Sequence, residues 1–433
     1  MTNNHLAHIV VIGAGFGGIE TCKQLQHAPV KISLIDKHNY HLFQPLLYQV
    51  ASAALSPAEI AYPIRTIFRD QGNVQVYLEE AIKIDLVNKK VFLTDEETTY
   101  DYLVIAAGAT HSYFGNDDWQ KWAPGLKSVD DATEIRKRIL IAFEEAEYEA
   151  NEEARKAKLT FIIVGGGPTG VELAGALMEI AAKTIPDDFR NVDTSTARVI
   201  LVHSGARILP SFAESLSQSA LDELIKMGVE VQLNSRVTKV DAEGVLVGDQ
   251  RIFAQNVFWA AGVQASPLAR TLNVPLDRSG KIIVNRNLSI PGHPEVFAIG
   301  DIAAMVDDKS GNAIPAVAQG AVQSGRFVGQ LMSRLVSAGG TQEQVRFSYH
   351  DKGSMATIGK AKAVAEIGKL KFTGSIAWLL WSFVHVLFLV GFRNRIAVVL
   401  AWVWNYLFSS RGARLITGKI DYSVKHISNQ SKD

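Results

Sequence analysis

Short apolar runs rich in β-branched residues recur along the chain, and two of them lead directly into glycine clusters. Residues 8–12 read HIVVI, and residues 160–164 read TFIIV. Continuous runs of this length are typical of strands buried on both faces, as in a parallel sheet. A helical pattern follows each glycine cluster, so the sequence predicts two strand–turn–helix units.

Both glycine clusters have the form Gly-x-Gly-x-x-Gly. The first is GAGFGG at 13–18, and the second is GGGPTG at 165–170. A turn of this kind between a strand and a helix directs backbone N–H groups and the positive end of the helix dipole toward a pyrophosphate. Two copies in one chain predict two bound dinucleotides.

A second repeated feature accompanies the glycine clusters. The apolar run 102–105 ends in Ala-Ala-Gly, and so does the run 257–259. The two triplets, at 106–108 and 260–262, follow their opening glycines at nearly the same distance. Chance glycine turns would not share a distal strand, so we interpret the chain as an α/β protein with two Rossmann-like domains.

The residue that ends the second strand of such a domain bears on which dinucleotide binds. In the first unit Asp36 stands there, and a carboxylate accepts hydrogen bonds from a ribose 2′-hydroxyl. In the second unit the run 198–202 is followed by His203. Together with Ser204 and Arg207, this residue can accommodate a 2′-hydroxyl or a 2′-phosphate, which leaves NADPH open beside NADH. A solvent-facing histidine without a binding role is an equally good interpretation.

The order of the repeats indicates an inserted domain. After the second unit, the strand-like run 294–299 ends in Gly300-Asp301. Open parallel sheets bind ligands at the carboxyl ends of their strands, so we expect the first domain to resume there. The predicted parts are the first dinucleotide-binding domain at 1–118, the second at 119–275, the completion of the first at 276–335, and a C-terminal region at 336–433.

Composition and charge exclude several classes of function. The 433 residues include 44 basic and 44 acidic side chains, and a net charge of zero argues against a nucleic-acid partner. Cys22 is the only cysteine, which excludes an intrachain disulfide, a Cys-x-x-Cys redox pair and a cysteine-based metal cluster. Residues 1–7 lack an apolar core, so we expect no signal peptide. We expect no metal.

The C-terminal region is both apolar and basic. Residues 375–392 and 396–408 carry no formal charge and contain four of the seven tryptophans, a residue enriched at lipid-headgroup depth. The first segment is borderline in length for a spanning helix and the second is too short. We therefore expect a monotopic anchor of two amphipathic helices, with one transmembrane helix or a buried dimer interface as alternatives. Flanking arginines suit anionic headgroups, namely Arg393, Arg395, Arg411 and Arg414.

Taken together, these motifs resemble the type II NADH dehydrogenases, or alternative NADH:quinone oxidoreductases, a family of the two-dinucleotide flavoprotein class related to glutathione reductase. The resemblance covers essentially the whole chain and includes the stretches 39–50, 164–175, 300–301 and 318–323. It implies FAD at the first glycine cluster, NADH at the second, and a quinone beside the Ala-Gln-x-x-x-Gln signature at 318–323. The family normally has an acid where this chain has His203.

The resemblance also implies a set of site residues. Those expected to act in catalysis are Glu172, near the nicotinamide and flavin rings, and Gln319 and Gln323, at the quinone. Those expected to bind the dinucleotides are Gly13, Gly15, Phe16, Gly17, Gly18, Asp36, Lys37, Gln44, Ala107, Gly108, Gly165, Gly167, Pro168, Thr169, Gly170, Glu172, His203, Ala261, Gly262, Gly300, Asp301, Ala318 and Gln319.

Physical chemistry supports several of these roles. A flavin can take a hydride and pass two electrons to a quinone, so the protein supplies placement and electrostatics. Asp301 can accept hydrogen bonds from ribitol hydroxyls. Gln319 and Gln323 lie four residues apart, on one face of a helix predicted after Pro315, whose dipole favours the charge of reduced flavin. Glu172 can orient NADH or steer charge, although a carboxylate near a helix start stabilises the helix in any protein.

The expected function is that of a non-proton-pumping respiratory NADH:quinone oxidoreductase on the cytoplasmic face of the cell membrane. Its expected partners are a membrane quinone and the bilayer surface, and a homodimer is a further possibility. A soluble NAD(P)H flavoprotein reductase of a ferredoxin or other acceptor would leave the apolar, basic tail without a purpose. A sulfide:quinone oxidoreductase needs redox-active cysteines, and a non-catalytic NADH-sensing module would hold flavin loosely or not at all.

Overall fold

Two parallel sheets, one for each glycine cluster, form the framework of the molecule. The structure is a computed structural model that describes residues 6–338, 345–408 and 411–418. The ends of the predicted first domain and C-terminal region, at 1–5 and 419–433, lie outside the described residues. Within the described part the fold is α/β, and each strand predicted from an apolar run is present within one residue of its expected bounds.

The strands are short and alternate with helices through most of the chain. In chain order they are β1 (Ala7–Ile12), β2 (Val30–Asp36), β3 (Tyr40–Leu42), β4 (Ala61–Pro63), β5 (Val74–Leu78), β6 (Ala81–Asp85), β7 (Lys90–Leu93), β8 (Glu97–Thr99), β9 (Tyr102–Ile105), β10 (Ala109–His111), β11 (Thr160–Val164), β12 (Arg198–Val202), β13 (Glu230–Gln232), β14 (Val237–Asp241), β15 (Gly244–Val247), β16 (Gln250–Phe253), β17 (Asn256–Trp259), β18 (Val263–Ala265), β19 (Ile282–Ile283), β20 (Ser289–Ile290), β21 (His293–Ala298), β22 (Ala303–Ala304), β23 (Ser354–Gly359), β24 (Lys362–Ile367) and β25 (Leu370–Thr373).

The helices differ widely in length. They are α1 (Phe16–Gln24), α2 (Leu47–Ala51), α3 (Pro57–Ile60), α4 (Ile64–Ile67), α5 (Val129–Tyr148), α6 (Glu152–Lys158), α7 (Pro168–Glu179), α8 (Glu214–Lys226), α9 (Ala318–Ala338), α10 (Gly374–Phe388) and α11 (Phe392–Phe408). A π-helical turn, Ile180–Thr184, extends α7. Such turns often occur at functional sites.

The first sheet contains strands from both sides of the inserted unit. Its order is β20-β21-β9-β1-β2-β5. β1 pairs in parallel with β2 and β9, and β21 pairs in parallel with β9. The chain therefore returns to its first sheet after the second glycine unit, and the first glycine cluster lies at the carboxyl end of a central strand.

The second sheet repeats this arrangement with fewer strands. Its order is β13-β12-β11-β17, with all pairs parallel, so that β11 and β17 correspond to β1 and β9. A separate antiparallel ladder joins the two units, because β10 pairs with β18 and places Ala109 opposite Ala265. Each strand of this ladder directly follows one of the Ala-Ala-Gly triplets.

The C-terminal region consists of the antiparallel sheet β23-β24-β25 followed by α10 and α11. It packs closely on the second unit, since a Cβ at Gly175 of α7 would overlap the carbonyl oxygen of Ile358 in β23. Trp381 of α10 and Val398 of α11 belong to the same hydrophobic core as Phe161 of β11. These helices are therefore part of a folded core on one side.

The predicted anchor segments form two helices with different bounds. α10 ends at Phe388 and α11 begins at Phe392, so Arg393 and Arg395 lie in the first turn of α11 and the prediction that they separate the two helices was wrong. Across the described ranges 6–338, 345–408 and 411–418, no helix has the length and apolar character needed to cross a membrane.

Candidate functional site

The first glycine cluster forms a tight turn at the carboxyl end of β1. Gly13 has φ +100°, and a Cβ there would overlap the carbonyl oxygen of Ala106. A Cβ at Gly18 would overlap the carbonyl oxygen of Gly13, whereas a Cβ at Gly15 would meet open space. The outer glycines thus permit close backbone packing, and Gly15 leaves room for an external group to reach the backbone.

The second cluster has the same geometry. Gly165 has φ +119°, and a Cβ there would lie 2.5 Å from the carbonyl group of Ala260. A Cβ at Gly170 would overlap the carbonyl oxygen of Gly165, and again the middle position, Gly167, is open. Gly13 thus contacts the backbone of Ala106, and Gly165 contacts that of Ala260, so the first residue of each Ala-Ala-Gly triplet lies against its glycine turn.

Both turns lead into helix N-termini. Gly15 is the N-cap residue of α1, and Gly167 is that of α7, so no side chain accepts a hydrogen bond at either cap. The exposed N–H groups and the helix dipole favour an anion such as a pyrophosphate. Pro168 begins α7, and Thr169 follows within its first turn. A proline is tolerated there because the first helical N–H has no intrahelical partner.

Asp36 and His203 hold equivalent places beside the two turns. The Asp36 carboxylate accepts hydrogen bonds from the N–H groups of Ala14, at 2.6 Å, and His38, at 2.7 Å. Nδ1 of His203 accepts one from the N–H of Gly166, at 3.1 Å. Ala14 and Gly166 are the second residues of their clusters, so each side chain braces the middle of the adjoining turn. Only Asp36 brings a negative charge.

These features fit an adenine dinucleotide at the first turn. The space at Gly15 permits close approach to the backbone, and the first turn of α1 offers N–H donors to a pyrophosphate. A carboxylate has about four acceptor positions, so Asp36 keeps capacity for ribose hydroxyls beyond its two backbone contacts. Lys37, also predicted to bind the cofactor, forms an exposed ion pair with Glu80 at 3.5 Å.

Aromatic side chains pack around the first turn. The ring of Phe16 meets His41 edge-on with a centroid separation of 5.0 Å, and it meets Phe43 at 5.9 Å. Nδ1 of His41 lies 3.1 Å from the carbonyl oxygen of Ala14. Burial lowers the pKa of His41 to about 4, so this ring is neutral at pH 7. Phe16 thus holds the turn by packing.

Asp301, Gln44 and Lys127 lie together near the first sheet's carboxyl edge. Nε2 of Gln44 donates to the carbonyl oxygen of Lys127 at 3.0 Å, and Nζ of Lys127 lies 3.9 Å from Oδ2 of Asp301. Gly300 has φ +68°, and its N–H donates to Oγ of Ser324 on α9 at 3.3 Å. The turn before Asp301 is therefore fixed to α9.

The helix α9 packs directly on α1 through small residues. A Cβ at Gly325 would overlap the carbonyl oxygen of Gly17, and a Cβ at Gly329 would lie 2.8 Å from the carbonyl oxygen of Thr21. Oγ1 of Thr21 donates to the carbonyl oxygens of both Gly17 and Gly325. The helix that carries the glutamine pair is thus held against the helix of the first glycine turn. Sequence reasoning did not identify this contact.

The two glutamines of α9 have different surroundings. Gln319 is the second residue of the helix after Ala318, and its Oε1 is buried with no hydrogen-bond partner in the described part of the chain. Gln323 binds the main chain of His350 twice, donating from Nε2 at 2.8 Å and accepting at Oε1 at 2.9 Å. An unpaired buried amide needs an explanation, and an external ligand would satisfy it.

Glu172 is the fifth residue of α7, beyond its first turn. Its Oε1 accepts a long hydrogen bond, 3.4 Å, from the N–H of Thr357 in β23. Burial raises the pKa of Glu172 to about 8, which the Thr357 contact only partly opposes. The carboxyl group therefore carries a proton at neutral pH.

A chain of hydrogen bonds connects α11 with Glu172. Nε1 of Trp402 donates to Oε1 of Gln49 at 2.7 Å, and Nε2 of Gln49 donates to Oη of Tyr48 at 2.9 Å. Oη of Tyr48 lies 2.7 Å from Oγ1 of Thr357, whose backbone N–H contacts Glu172. Burial and the nearby Glu172 raise the pKa of Tyr48, so its hydroxyl stays protonated.

This chain lines a cleft that opens to solvent. The cleft lies between α7, β23 and the C-terminal helices, and Glu172 stands in its wall. Of the residues predicted to act in catalysis or to bind a dinucleotide, Glu172 is the one that lines this cleft. The other lining residues with aromatic or charged side chains are Tyr48, Trp378, Trp381, Trp402, Tyr406, Glu179, Lys183, Lys360 and Arg411.

Arg411 closes one side of the cleft. Its buried guanidinium donates from Nη2 to Oε2 of Glu179 at 2.9 Å and from Nη1 to the carbonyl oxygen of Ser52 at 2.8 Å. Arg414 pairs with Asp188. The prediction that Arg411 contacts lipid headgroups was wrong, because its guanidinium is buried and pairs with the half-buried carboxylate of Glu179.

Both C-terminal helices nevertheless present apolar side chains to solvent. The tryptophans of these helices differ in exposure. Trp381 is 1% exposed and Trp404 is 57% exposed, whereas Trp402 donates a hydrogen bond to Gln49. The expectation that the tryptophans lie at headgroup depth is therefore wrong for Trp381, whereas Trp402 is half-buried. The exposed large apolar residues of the two helices are Ile376, Leu379, Phe383, Leu387 and Phe388 of α10, and Phe392, Ile396, Val399, Leu400, Val403, Trp404, Tyr406, Leu407 and Phe408 of α11.

Two family models cover most of the chain. The pyridine nucleotide-disulphide oxidoreductase model matches residues 7–325, and the NDH2 C-terminal domain model matches residues 351–411. The chain is 45% identical to the type II NADH:quinone oxidoreductase Ndh of Mycobacterium tuberculosis, over 94% of this chain and 90% of that protein. The chain belongs to the type II NADH:quinone oxidoreductases. The resemblance noted from its motifs is confirmed.

Proteins with lower sequence identity are similar to this chain over a comparable share of its length. The internal alternative NAD(P)H-ubiquinone oxidoreductase A1 of Arabidopsis thaliana mitochondria is 28% identical over 94% of this chain and 85% of its own length. The solved structure of NDH2 from Plasmodium falciparum in complex with NADH superimposes with a TM-score of 0.86. Its sequence is 19% identical to this one, and the superposition covers 95% of this chain and 100% of that chain. The two-domain fold with its C-terminal region is thus shared across the family.

Proposed function

We propose that this type II enzyme transfers a hydride from NADH to FAD and then two electrons to a membrane quinone, yielding NAD⁺ and a quinol. The observation that carries the proposal is the pair of matching glycine turns joined by the β10–β18 ladder, with α9 packed on the helix of the first turn. FAD supplies the redox chemistry. The protein holds the two dinucleotides in fixed relation and controls protons beside them.

Different residues are proposed to bind different parts of the two dinucleotides. Gly15 and Asp36 hold the adenosine and pyrophosphate part of FAD, and Asp301 holds its ribitol. Gly167 and the first turn of α7 hold the pyrophosphate of NADH. Glu172, in the wall of the cleft, holds a proton on its carboxyl group and orients NADH or steers charge beside the nicotinamide and flavin rings. Residues proposed to line the rest of the nucleotide sites follow the sequence motifs: Lys37, Gln44, Ala107, Gly108, Ala261 and Gly262.

The two glutamines receive separate roles. Gln319 presents its amide to the quinone: Nε2 would donate to a quinone carbonyl, and Oε1, which lacks a protein partner in the described residues, would accept from a hydroxyl of the quinol. Gln323 is a positioning residue, because both ends of its amide are bound to His350.

Turnover by the purified protein tests the proposal. Detergent-solubilised protein should contain one non-covalent FAD and oxidise NADH with a short-chain quinone. FMN in place of FAD, or flavin reduction by NADH without quinone turnover, would contradict it.

We further propose that α10 and α11 attach the enzyme peripherally to a lipid surface. Their exposed apolar faces are the supporting observation, since large apolar patches are uncommon on soluble monomers. The paired exchange Phe383→Gln and Leu400→Gln should reduce co-sedimentation with vesicles of phosphatidylethanolamine and phosphatidylglycerol. Both side chains are exposed, so folding should survive. Val87→Gln, at another exposed apolar position, is the control, and equal sedimentation of both variants would reject the proposed surface.

We also propose that electron transfer is not coupled to proton pumping. A membrane proton path normally needs ionisable groups. Across α10 and residues 396–408 of α11 such groups are His385 and Tyr406. His385 stacks on Trp381 at 4.2 Å, and burial lowers its pKa to about 4. Proteoliposomes should show no uncoupler-sensitive change of internal pH during NADH oxidation. The cytoplasmic side and the homodimer stay predictions from the sequence.

A further inference from the structure

We propose that the ring of Phe114 packs against the nicotinamide ribose of NADH and positions that half of the dinucleotide. The inference rests on the proposed binding of NADH at the second glycine turn. It assigns a binding role to a side chain outside the glycine motifs, in the segment that connects the two dinucleotide units.

The strand order of the second sheet determines where the nicotinamide half would lie. The glycine turn at the end of β11 suits the pyrophosphate, and the adenosine ribose belongs toward the end of β12, the second strand of the unit. The strand β17 lies on the other side of β11 and runs parallel to it. A dinucleotide that extends across the turn therefore brings its nicotinamide ribose over the end of β17. The triplet that ends in Gly262 occupies this position.

The ring of Phe114 lies directly against this glycine. Gly262 has φ +92°, and a Cβ there would lie 2.7 Å from Cζ of Phe114. The same ring meets Trp259, the last residue of β17, with a centroid separation of 6.3 Å. Phe114 is nevertheless 70% exposed. One edge of the ring is thus fixed at the end of β17, and the rest of it is open to an external group.

Hydrogen bonds hold the backbone that carries the ring. The N–H of Ser112 donates to the carbonyl oxygen of Gly262 at 3.3 Å, and the carbonyl oxygen of Ser112 accepts from Nε1 of Trp259 at 2.8 Å. On the other side, Nδ2 of Asn116 donates to the carbonyl oxygen of Phe114 at 3.4 Å. The segment is therefore tied to the end of β17, and the ring keeps a fixed place there.

The backbone conformation of Phe114 is unfavourable for a phenylalanine. Its φ is +53°, in the left-handed region that favours glycine. Burial does not offset this cost, since most of the side chain is exposed. Bulky residues in such conformations persist where the surrounding structure holds them, and they are concentrated at active sites and ligand-binding segments. A phenylalanine at this position indicates a use for the ring itself.

Phe114→Gly separates a binding role of the ring from a structural one. Glycine suits the left-handed conformation, so the melting temperature should equal or exceed that of the wild type. The loss of the ring should raise the Kd of NADH, measured from the rate of flavin reduction in rapid mixing, by about 3- to 10-fold, the scale of an aromatic contact. The conservative variant Phe114→Tyr keeps the ring and should restore binding. Phe253→Gly, at an exposed position before the amino end of β17, is the matched control and should leave this Kd unchanged.

Fragments of the dinucleotide locate the contact. ADP-ribose carries a second ribose beyond the pyrophosphate, whereas 5′-AMP contains the adenosine half alone. Phe114→Gly should weaken competitive inhibition by ADP-ribose about 3- to 10-fold and leave inhibition by 5′-AMP unchanged. Equal weakening of both inhibitors, or an unchanged Kd of NADH in Phe114→Gly, would overturn the inference. Flavin reduction by NADH in the wild type would show that the proposed function stands, whereas its absence there would reject that function instead.

Discussion

Glu172→Gln should make the stability of the enzyme less sensitive to alkaline pH. Burial raises the pKa of this carboxyl group from 4.5 to about 8 in the folded protein. Folding therefore favours the protonated form, and its contribution is complete below pH 4.5. This contribution is lost as the pH rises from 4.5 through 8. Over that range the unfolded chain releases the proton freely, whereas the folded protein retains it until the pH exceeds about 8. Glutamine is neutral throughout and avoids this loss.

The size of the effect follows from the shift. One pKa unit corresponds to about 1.4 kcal/mol, so raising the pKa from 4.5 to about 8 amounts to at most about 5 kcal/mol above pH 8 and about 3 kcal/mol at pH 7. For a chain of 433 residues, the average unfolding entropy converts this range into roughly 3 to 6 °C of melting temperature. Such differences are readily measured.

The assay is thermal unfolding of the flavin-bound protein between pH 5 and 9, followed by near-ultraviolet circular dichroism. The melting temperature of the wild type should fall relative to Glu172→Gln as the pH rises, and the two should converge near pH 5. Glu153→Gln, at an exposed position on α6, controls for loss of a carboxylate and should track the wild type. Parallel curves for wild type and Glu172→Gln, or a gap that narrows with rising pH, would refute a buried protonated carboxyl.

Other substitutions test the remaining contacts. Gln319→Ala should slow reoxidation of reduced flavin by quinone by about 10- to 100-fold, the scale of a lost buried hydrogen bond, and leave flavin reduction by NADH nearly intact in rapid-mixing experiments. Arg411→Met should lower the free energy of unfolding by about 3 to 5 kcal/mol in denaturant titrations, since Glu179 is left unpaired, and adding Glu179→Gln should recover part of the loss. Gly175→Ala should impair soluble expression, because its Cβ would overlap the carbonyl oxygen of Ile358, whereas Gly72→Ala, with open space around it, should be tolerated.

The two dinucleotide units could be predicted because their signals are local. A β-branched run, a glycine turn and a helix start lie within about twenty residues, and each constrains the backbone directly. The bounds of β11 and β9 agree with the sequence interpretation to the residue. Even the correspondence of Asp36 with His203 follows from strand order alone. What the sequence does not show is that both side chains bind the turn.

The surroundings of the C-terminal helices could not be predicted in the same way. When nearly every residue of a helix is apolar, periodicity does not indicate which face is covered. Trp381 and Trp402 are held inside by α2 and the second domain, and the partner of Trp402 is 353 residues away in sequence. Arg411 is likewise paired with a residue 232 positions earlier. A basic residue in an apolar tail suggests contact with lipid headgroups until its acidic partner within the protein is identified.

Glu172 shows how the sequence can indicate a residue while its physical surroundings differ from those expected. Its position after the glycine turn indicated a helix N-terminus, where a dipole stabilises a carboxylate by up to about 2 kcal/mol. In the structure it is the fifth residue of α7, and that stabilisation falls off within the first turn. Burial dominates and is worth about 5 kcal/mol in the opposite direction. The strand β23, which begins at Ser354, packs beside this carboxyl group, so we expect its burial to depend in part on the docking of the C-terminal region, and variants that loosen β23 should ionise Glu172 at lower pH.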